Sequence, residues 1–231
     1  MRRVGRGKYR CAGKLERELR EAGFRLVAGA DEAGRGSLFG PVFAAAVILS
    51  SERPIRGLRD SKELEPQRRE ELAAVIRERA LSWAVAAVEA RVIDRINILE
   101  ASRLAMKQAL QQLEPAADHL LLDAMAVDLP VPQWSIIHGD ARCQSIAAAS
   151  ILAKVGRDAA MLEWDRVYPQ YGLCRHKGYP TREHRAALAR YGPTFEHRFS
   201  YGPVAAATPR WLRWICALRR EAEPGARMEC R

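Results

Sequence analysis

Three apolar stretches of this chain run into acids. LVAGADE (26–32) reaches Asp31 and Glu32, HLLLD (119–123) reaches Asp123, and SIIHGD (135–140) reaches Asp140. If each stretch is a strand of an α/β sheet, the acids collect beyond the strand carboxyl ends, where such sheets place their sites. Four carboxylates in one pocket repel one another unless cations compensate them. Oxygen ligands suit hard ions such as Mg²⁺, which keeps waters and substrate phosphate in its shell. Two such ions ~3.5–4 Å apart can activate a water and stabilise a leaving oxygen in phosphoryl transfer. Each acid also has a plainer reading. A strand-end Asp serves as a turn residue, and Asp140 can cap the helix that follows it. Neighbours on a regular strand face opposite sides, so Asp31 and Glu32 share a site only if the strand ends or bulges there.

The segment DEAGRG (31–36) sharpens the reading. Gly34 and Gly36 let the backbone approach a ligand closely and offer it N–H groups. Arg35 adds a fork that matches phosphate. DEAGRG followed by GPV (40–42) resembles the opening motif of the ribonuclease HII family. The resemblance continues in family order through DSK (60–62), the Asp123 stretch, GDAR (139–142), SIAAASILAKV (145–155), YPQYG (168–172), HKGYPT (176–181) and FSYGPV (199–204). It spans about residues 25–205.

The resemblance implies an α/β, ribonuclease H-like fold: a central mixed sheet flanked by helices, with a helical C-terminal region. It implies an endoribonuclease that hydrolyses the RNA strand of RNA–DNA hybrids and nicks DNA duplexes 5′ to embedded ribonucleotides. Two divalent ions, Mg²⁺ or Mn²⁺, act with substrate bound and leave 3′-hydroxyl and 5′-phosphate ends. Asp31, Glu32, Asp123 and Asp140 match the family's metal-binding and catalytic carboxylates. Gly34, Arg35 and Gly36 match the loop that senses the ribose 2′-hydroxyl. Tyr179 matches a tyrosine that packs on the next sugar at the RNA–DNA junction, and Lys62 a lysine near the phosphates. Without the family, Tyr179 reads equally as a loop aromatic and Lys62 as a solvated cation. The implied cellular roles are ribonucleotide removal from DNA and clearance of hybrids. Two alternatives share part of the evidence: another two-metal nuclease of the same fold, and a non-catalytic hybrid-binding protein. Ser37 departs from the family's proline after GRG, which would loosen the loop. His138 stands where a lysine often precedes GD, and AMAVDLP follows Asp123 in place of a GN-type continuation.

The elements that must position these residues are legible in outline. Helices are expected over 11–22, 66–80, 91–113 (as two segments), 145–164 and 181–191, and strands over 25–31, 41–49, 80–90, 119–124 and 134–140. An irregular aromatic and basic loop is expected over 165–180, and a last amphipathic helix from about 205 with Trp211, Trp214 and Leu218. The expected organisation is a basic segment and short helix over 1–22, the ribonuclease H-like catalytic domain over 23–205, and a tail over 206–231, helical and then disordered. The net charge is +10 over 231 residues, which favours a polyanionic partner. Arg142, Lys154, Arg157, Arg175, Lys177, Arg182, Arg185 and Arg198 are candidates for a backbone-binding surface. The 5 cysteines (Cys11, Cys143, Cys174, Cys216 and Cys230) form no CxxC pair, which argues against a disulfide framework. No apolar stretch reaches the ~18 residues of a membrane span. A cytoplasmic monomer without membrane contact is the expectation, and no segment reads as a sliding-clamp-binding peptide.

Overall fold

Alanine, valine and glycine dominate the first two strands, and their small side chains let helices approach both faces of the sheet. In a computed structural model, which describes residues 11–209, β1 (Val27–Ala33) pairs antiparallel with β2 (Val42–Ile48), and β2 antiparallel with β3 (Ser82–Val88). On its other side β1 pairs parallel with β4 (His119–Asp123), and β4 parallel with β5 (Gln133–Ile136). The sheet is therefore mixed, with strand order β3-β2-β1-β4-β5. The helices are α1 (Lys14–Glu21), α2 (Pro66–Arg79), α3 (Ala90–Gln111), α4 (Gln144–Val167), α5 (Leu173–His176), α6 (Arg182–Tyr191) and α7 (Gly202–Ala207).

Strand alternation sorts the core into two layers. Ala28, Ala30, Ala44 and Ala46 face one side, against Ala101, Ala105, Met106 and Ala109 of α3. Ala33, Ala45 and Val47 face the other, against Ala148, Ile151 and Leu152 of α4 and Leu72 and Ile76 of α2. α4 crosses β1 so closely that a Cβ on Gly29 would lie 2.2 Å from the Ser145 carbonyl carbon. The N-terminus of α4 is capped from a distance. Its N-cap residue Cys143 supplies no side-chain bond, while Glu16 of α1 accepts from the Ser145 N–H at 2.8 Å and its hydroxyl at 2.9 Å. The capping role open to Asp140 thus falls to Glu16.

The two expected segments of α3 meet at Asn97 (φ 66, ψ 168). Its side chain accepts from the N–H groups of Leu99 and Glu100, capping the second segment. Two expectations change. The stretch 134–140 is not a strand ending in an acid: β5 stops at Ile136, Trp134 and Ile137 are exposed, and Asp140 lies in a 3₁₀ turn, Gly139–Ala141, entered through left-handed His138. The stretch 165–180 is more ordered than a loop, because α4 runs to Val167 and is followed by a 3₁₀ turn at Pro169–Tyr171 and by α5. Leu38, Phe39, Met161, Tyr171, Leu173, Leu188 and Val204 form a separate apolar cluster under this C-terminal part. Cys11, Cys143 and Cys174 are free thiols. The basic start, the expected tail helix with its tryptophans and the last two cysteines lie outside the described residues. Among the described residues no helix is long and apolar enough to cross a membrane.

The contact at Gly29 gives a direct test. Gly29→Ala should lower the unfolding free energy by about 1–3 kcal/mol, because the helix backbone it meets cannot rotate away as a side chain would. A thermal melt that matches the parent's would show that α4 does not sit this close to β1.

Candidate active site

β1 outruns its parallel neighbour. Its pairing with β4 stops at Ala30↔Leu122, while its pairing with β2 continues in regular register to Ala33↔Phe43. The strand therefore neither ends nor bulges at the two acids, contrary to the condition set by the sequence. Asp31 shares the α4 face with Gly29, and Glu32 the α3 face with Ala30. Because β4 has ended, both side chains border the same open edge, where Asp123, the last residue of β4, and Asp140 also stand. Asp123 Oδ1 accepts the Gly139 N–H at 2.8 Å, which ties the turn carrying Asp140 to the end of β4. Asp31 Oδ1 accepts the Glu32 N–H at 2.7 Å, and its carboxylate accepts from the Ser150 hydroxyl of α4. Ser150 in turn lies 2.9 Å from the Ser61 hydroxyl. The 3₁₀ turn Ser61–Glu63, which holds Lys62, is fastened by Arg69 Nη1 donating to the carbonyls of Ser61 and Leu64.

The electrostatics bind the four acids into one group. Burial, then Glu32 and Asp123, hold the Asp31 carboxyl well above its usual range. Burial raises Glu32 too, against the opposing pull of Arg35, and Asp123 adds to the rise. Burial, Asp60 and Asp123 push Asp140 up to about 6. Burial alone would lower Lys62, but Asp60, Asp140, Asp31 and Asp123 together raise it. Its Nζ lies 4.0 Å from Asp140 Oδ2. Arg35 Nη1 turns back onto Glu32 Oε1 at 3.3 Å, while Glu32 Oε2 is buried with no hydrogen-bond partner. Among the described residues no three acidic, histidine or cysteine side chains make a ready-formed cage. The donor set is all oxygen, anionic, underneutralised and includes an orphaned carboxylate oxygen, which fits hard divalent cations.

Beside the acids the GRG turn rests on two buried guanidinium groups. Gly34 has φ +97, and a Cβ there would lie 2.1 Å from Arg157 Nε. Arg157 Nη2 donates to the Lys177 carbonyl at 2.7 Å, and its guanidinium stacks 5.1 Å from the Tyr179 ring centre. Arg198 donates to the carbonyls of Gly34, Arg35 and Gly40 at 2.8, 2.9 and 2.9 Å. Gly36 is exposed and faces the half-buried Tyr179 ring, which would meet a Cβ at 3.8 Å. The structure thus brings Asp31, Glu32, Asp123, Asp140 and Lys62 together and sets Gly34, Arg35, Gly36 and Tyr179 beside them. The Ser37 hydroxyl donates to the Phe39 carbonyl at 2.9 Å and accepts the Phe39 N–H at 3.3 Å. The serine fastens the loop where loosening was expected.

The expected cationic surface needs correction. Arg157 and Arg198 are fully buried, so they support the loop from beneath and offer nothing to solvent. Lys154 pairs with Asp158 at 2.6 Å, Arg175 with Glu183, and Lys177 Nζ donates to the Cys174 carbonyl at 2.7 Å. Arg182 and Arg185 remain exposed on α6, and Arg142 is half-buried. Sequence reasoning missed Asp60 and Ser150 although both lie within quoted motifs, because neither spacing nor type marks a residue that acts on another side chain.

A protein-family model described as Ribonuclease HII matches residues 28–203. The chain is 62% identical over 200 residues to the Ribonuclease HII of Solibacter usitatus, covering 87% of this chain and 88% of that one. It is 55% identical over 191 residues to the Ribonuclease HII of Geobacillus kaustophilus, covering 83% and 74%. Among solved structures it is similar to the ribonuclease H2 of Pyrococcus horikoshii, with a TM-score of 0.68, 25% identity, and 82% of this chain and 100% of that one covered. It shares the fold of Bst-RNase HIII in complex with Mn²⁺, with a TM-score of 0.64, 19% identity, and 79% and 68% covered.

The raised carboxyls carry a stability cost with a definite sign. Asp140 folds with a pKa of about 6, against 3.8 unperturbed, so its ionised form opposes folding at all pH values above 6. The penalty shrinks as pH falls from 6 to about 4 and then vanishes. Asp140→Asn should therefore raise the unfolding free energy in EDTA at pH 7.5 by about 1–2 kcal/mol, with the gain fading towards pH 4. A variant less stable than the parent at pH 7.5 would contradict this charge balance.

Proposed function

The chain belongs to the ribonuclease HII family, whose members are hydrolytic, divalent-metal-dependent endoribonucleases, and on that premise we propose how its own residues divide the work. The observation that carries the proposal is the placing of four buried or half-buried acids beside a glycine turn that touches Tyr179. The catalytic domain is assigned to residues 23–205. Asp31, which interacts with Glu32 and Asp123, would hold two Mg²⁺ or Mn²⁺ ions together with Glu32, Asp123 and Asp140. When bound, the ions supply Lewis acidity towards phosphate oxygens and an activated water.

The chain's remaining residues orient the substrate. The turn Gly34–Gly36, exposed at Arg35 and Gly36, would offer backbone N–H groups to a ribose 2′-hydroxyl, the one sugar group that separates RNA from DNA. The half-buried Tyr179 ring, braced by Arg157 and with Lys154 Nζ 5.9 Å from its centre, gives a flat apolar face to the next sugar. Lys62, exposed and ringed by acids, offers its ammonium to the phosphate. The scissile bond is the one 5′ to a ribonucleotide, in a hybrid or embedded in DNA, and the ends are 3′-hydroxyl and 5′-phosphate. Recognition through the sugar and the phosphates carries no base-edge readout, so weak sequence preference is expected, with binding that falls steeply with salt.

The decisive measurement is cleavage of a labelled DNA duplex carrying one ribonucleotide, beside an all-DNA duplex, in Mg²⁺, Mn²⁺ or EDTA. The expected result is a metal-dependent nick on the 5′ side of the ribonucleotide with the control uncut. Cutting of both duplexes would favour a general nuclease, and binding without turnover a hybrid-binding protein. Asp31→Asn removes charge stabilisation of several kcal/mol and should slow cleavage roughly 100-fold or more while hybrid binding persists. Normal turnover in that variant would remove Asp31 from the metal site. Tyr179→Ala should slow cleavage at single ribonucleotides more than within long hybrids, and equal losses would count against junction reading.

A further inference from the structure

Behind Tyr179 lie three buried histidines on three segments, and none has a role in the chemistry above. His176 ends α5, His184 lies on α6, and His197 lies in the segment that bridges back to Phe39. The His176 and His184 rings stack with centres 4.6 Å apart, and those of His184 and His197 are 5.4 Å apart. Burial pushes His184 down to about 4 and His197 down to about 3, so both are neutral at physiological pH.

Backbone partners fix every proton in this cluster. The Thr194 N–H donates to His197 Nδ1 at 3.0 Å. His197 therefore carries its proton on Nε2, which lies 3.2 Å from His184 Nε2. His184 Nε2 accepts, leaving its proton on Nδ1, 3.1 Å from the Tyr179 carbonyl. That oxygen can only accept, so the two ends of the relay require the same tautomers independently. His176 follows the same logic. Its Nδ1 accepts the Gly178 N–H at 3.2 Å and its Nε2–H donates to the Tyr171 carbonyl at 2.8 Å.

The consequence falls on one dipeptide. The Gly178 N–H goes to His176, and the Gly178 carbonyl accepts the Leu38 N–H at 2.8 Å. The Tyr179 N–H goes to the His176 carbonyl at 3.0 Å, and the Tyr179 carbonyl accepts from His184 and from the Thr181 N–H. All four backbone groups are held, and Leu38 directly follows the GRG turn and Ser37. We propose that His184, with its tautomer set by His197, is a positioning residue that locks Tyr179 in register with the GRG turn and so determines selectivity for an RNA–DNA junction. This rests on Tyr179 being the junction reader.

The test compares His184→Asn, whose side-chain amide can offer an N–H where Nδ1 stood, with His184→Leu, which has no donor. Both are made in the full chain and checked for folding by thermal melting. Cleavage is measured on a duplex with one ribonucleotide and on a long hybrid. The leucine variant should lose roughly five- to tenfold on the single ribonucleotide and less on the hybrid, the scale of one hydrogen bond, and asparagine should restore most of the loss. Adding His184→Leu to Tyr179→Ala should cost little more. Equal behaviour of the two His184 variants, equal loss on both substrates, or full additivity with Tyr179→Ala would each overturn the proposal. If Tyr179→Ala alone shows no selective loss, the junction-reader assignment fails, and this proposal's selectivity claim with it. If the leucine variant does not fold, imidazole ¹⁵N spectra of the parent protein at neutral pH decide. Protons on His184 Nδ1 and His197 Nε2 are expected, and the opposite tautomers or a charged ring would overturn the relay.

Discussion

Every substrate-facing feature of this protein rests on α4 lying against β1 and the turn that follows it. Reading along both in the same direction, Gly29 meets Ser145, Asp31 meets Ser150, Gly34 meets Arg157 and Gly40 meets Met161. At Gly29, Gly34 and Gly40 a methyl group would intrude on α4 at 2.8 Å or less. The close approach is a packing constraint, fixed by small residues at a few points. Its effect is chemical, because it sets the height of the Asp31 carboxylate and of the GRG turn relative to a single rigid helix. Movement of α4 would displace the acids and the recognition turn together, so their mutual geometry is less exposed to disturbance than either is alone.

The second constraint is charge. The acids at the end of the sheet repel one another, and Lys62 and Arg35 neutralise them only in part. Arg157 and Arg198 are buried below the turn, with Arg157 Nε and Nη1 and Arg198 Nη2 lacking a partner. Acidic and basic groups in excess of their own counter-ions therefore stand side by side, separated by the turn. Neither set collapses onto the other, because the carbonyls of Gly34, Arg35, Gly40 and Lys177 hold the two guanidinium groups in place through their other nitrogens. Such an arrangement opposes folding and favours ligands. Cations relieve the acids, and an anionic backbone lying over the turn is drawn by the guanidinium groups beneath it.

Sequence carried the positions of the acids further than their geometry. Asp123 closes its strand as the apolar run into an acid suggests. Asp140 reaches the same edge by another route, through a left-handed residue and a 3₁₀ turn that hydropathy cannot signal. Strand alternation alone sets Asp31 and Glu32 apart, because it omits the length of the neighbouring strand. Once β4 stops short, opposite faces border one edge. Arg157 and Arg198 read as surface cations because their burial depends on absent Cβ atoms and on carbonyls elsewhere in the chain. The histidine relay joins residues 13 apart to a carbonyl on a third segment, a coupling with no local pattern.

The two halves of the site are consequently held by different physics. Asp31, Glu32 and Asp123 are carried on strands fixed by apolar packing, and Asp140 on a turn tied to the end of β4. The GRG turn and Tyr179 sit on loops above the apolar cluster of Leu38, Phe39 and Leu173. Their backbone polar groups are tied one by one to Arg198, His176, His184 and the Leu38 N–H. Hydrogen bonds are directional where packing is not, so they can specify the orientation of a single peptide to a fraction of an ångström. A ribose differs from a deoxyribose by one hydroxyl, and discrimination on that scale demands orientation more than burial. The polar scaffold therefore belongs on the recognition side of the site and the apolar one on the side of the metal-binding acids.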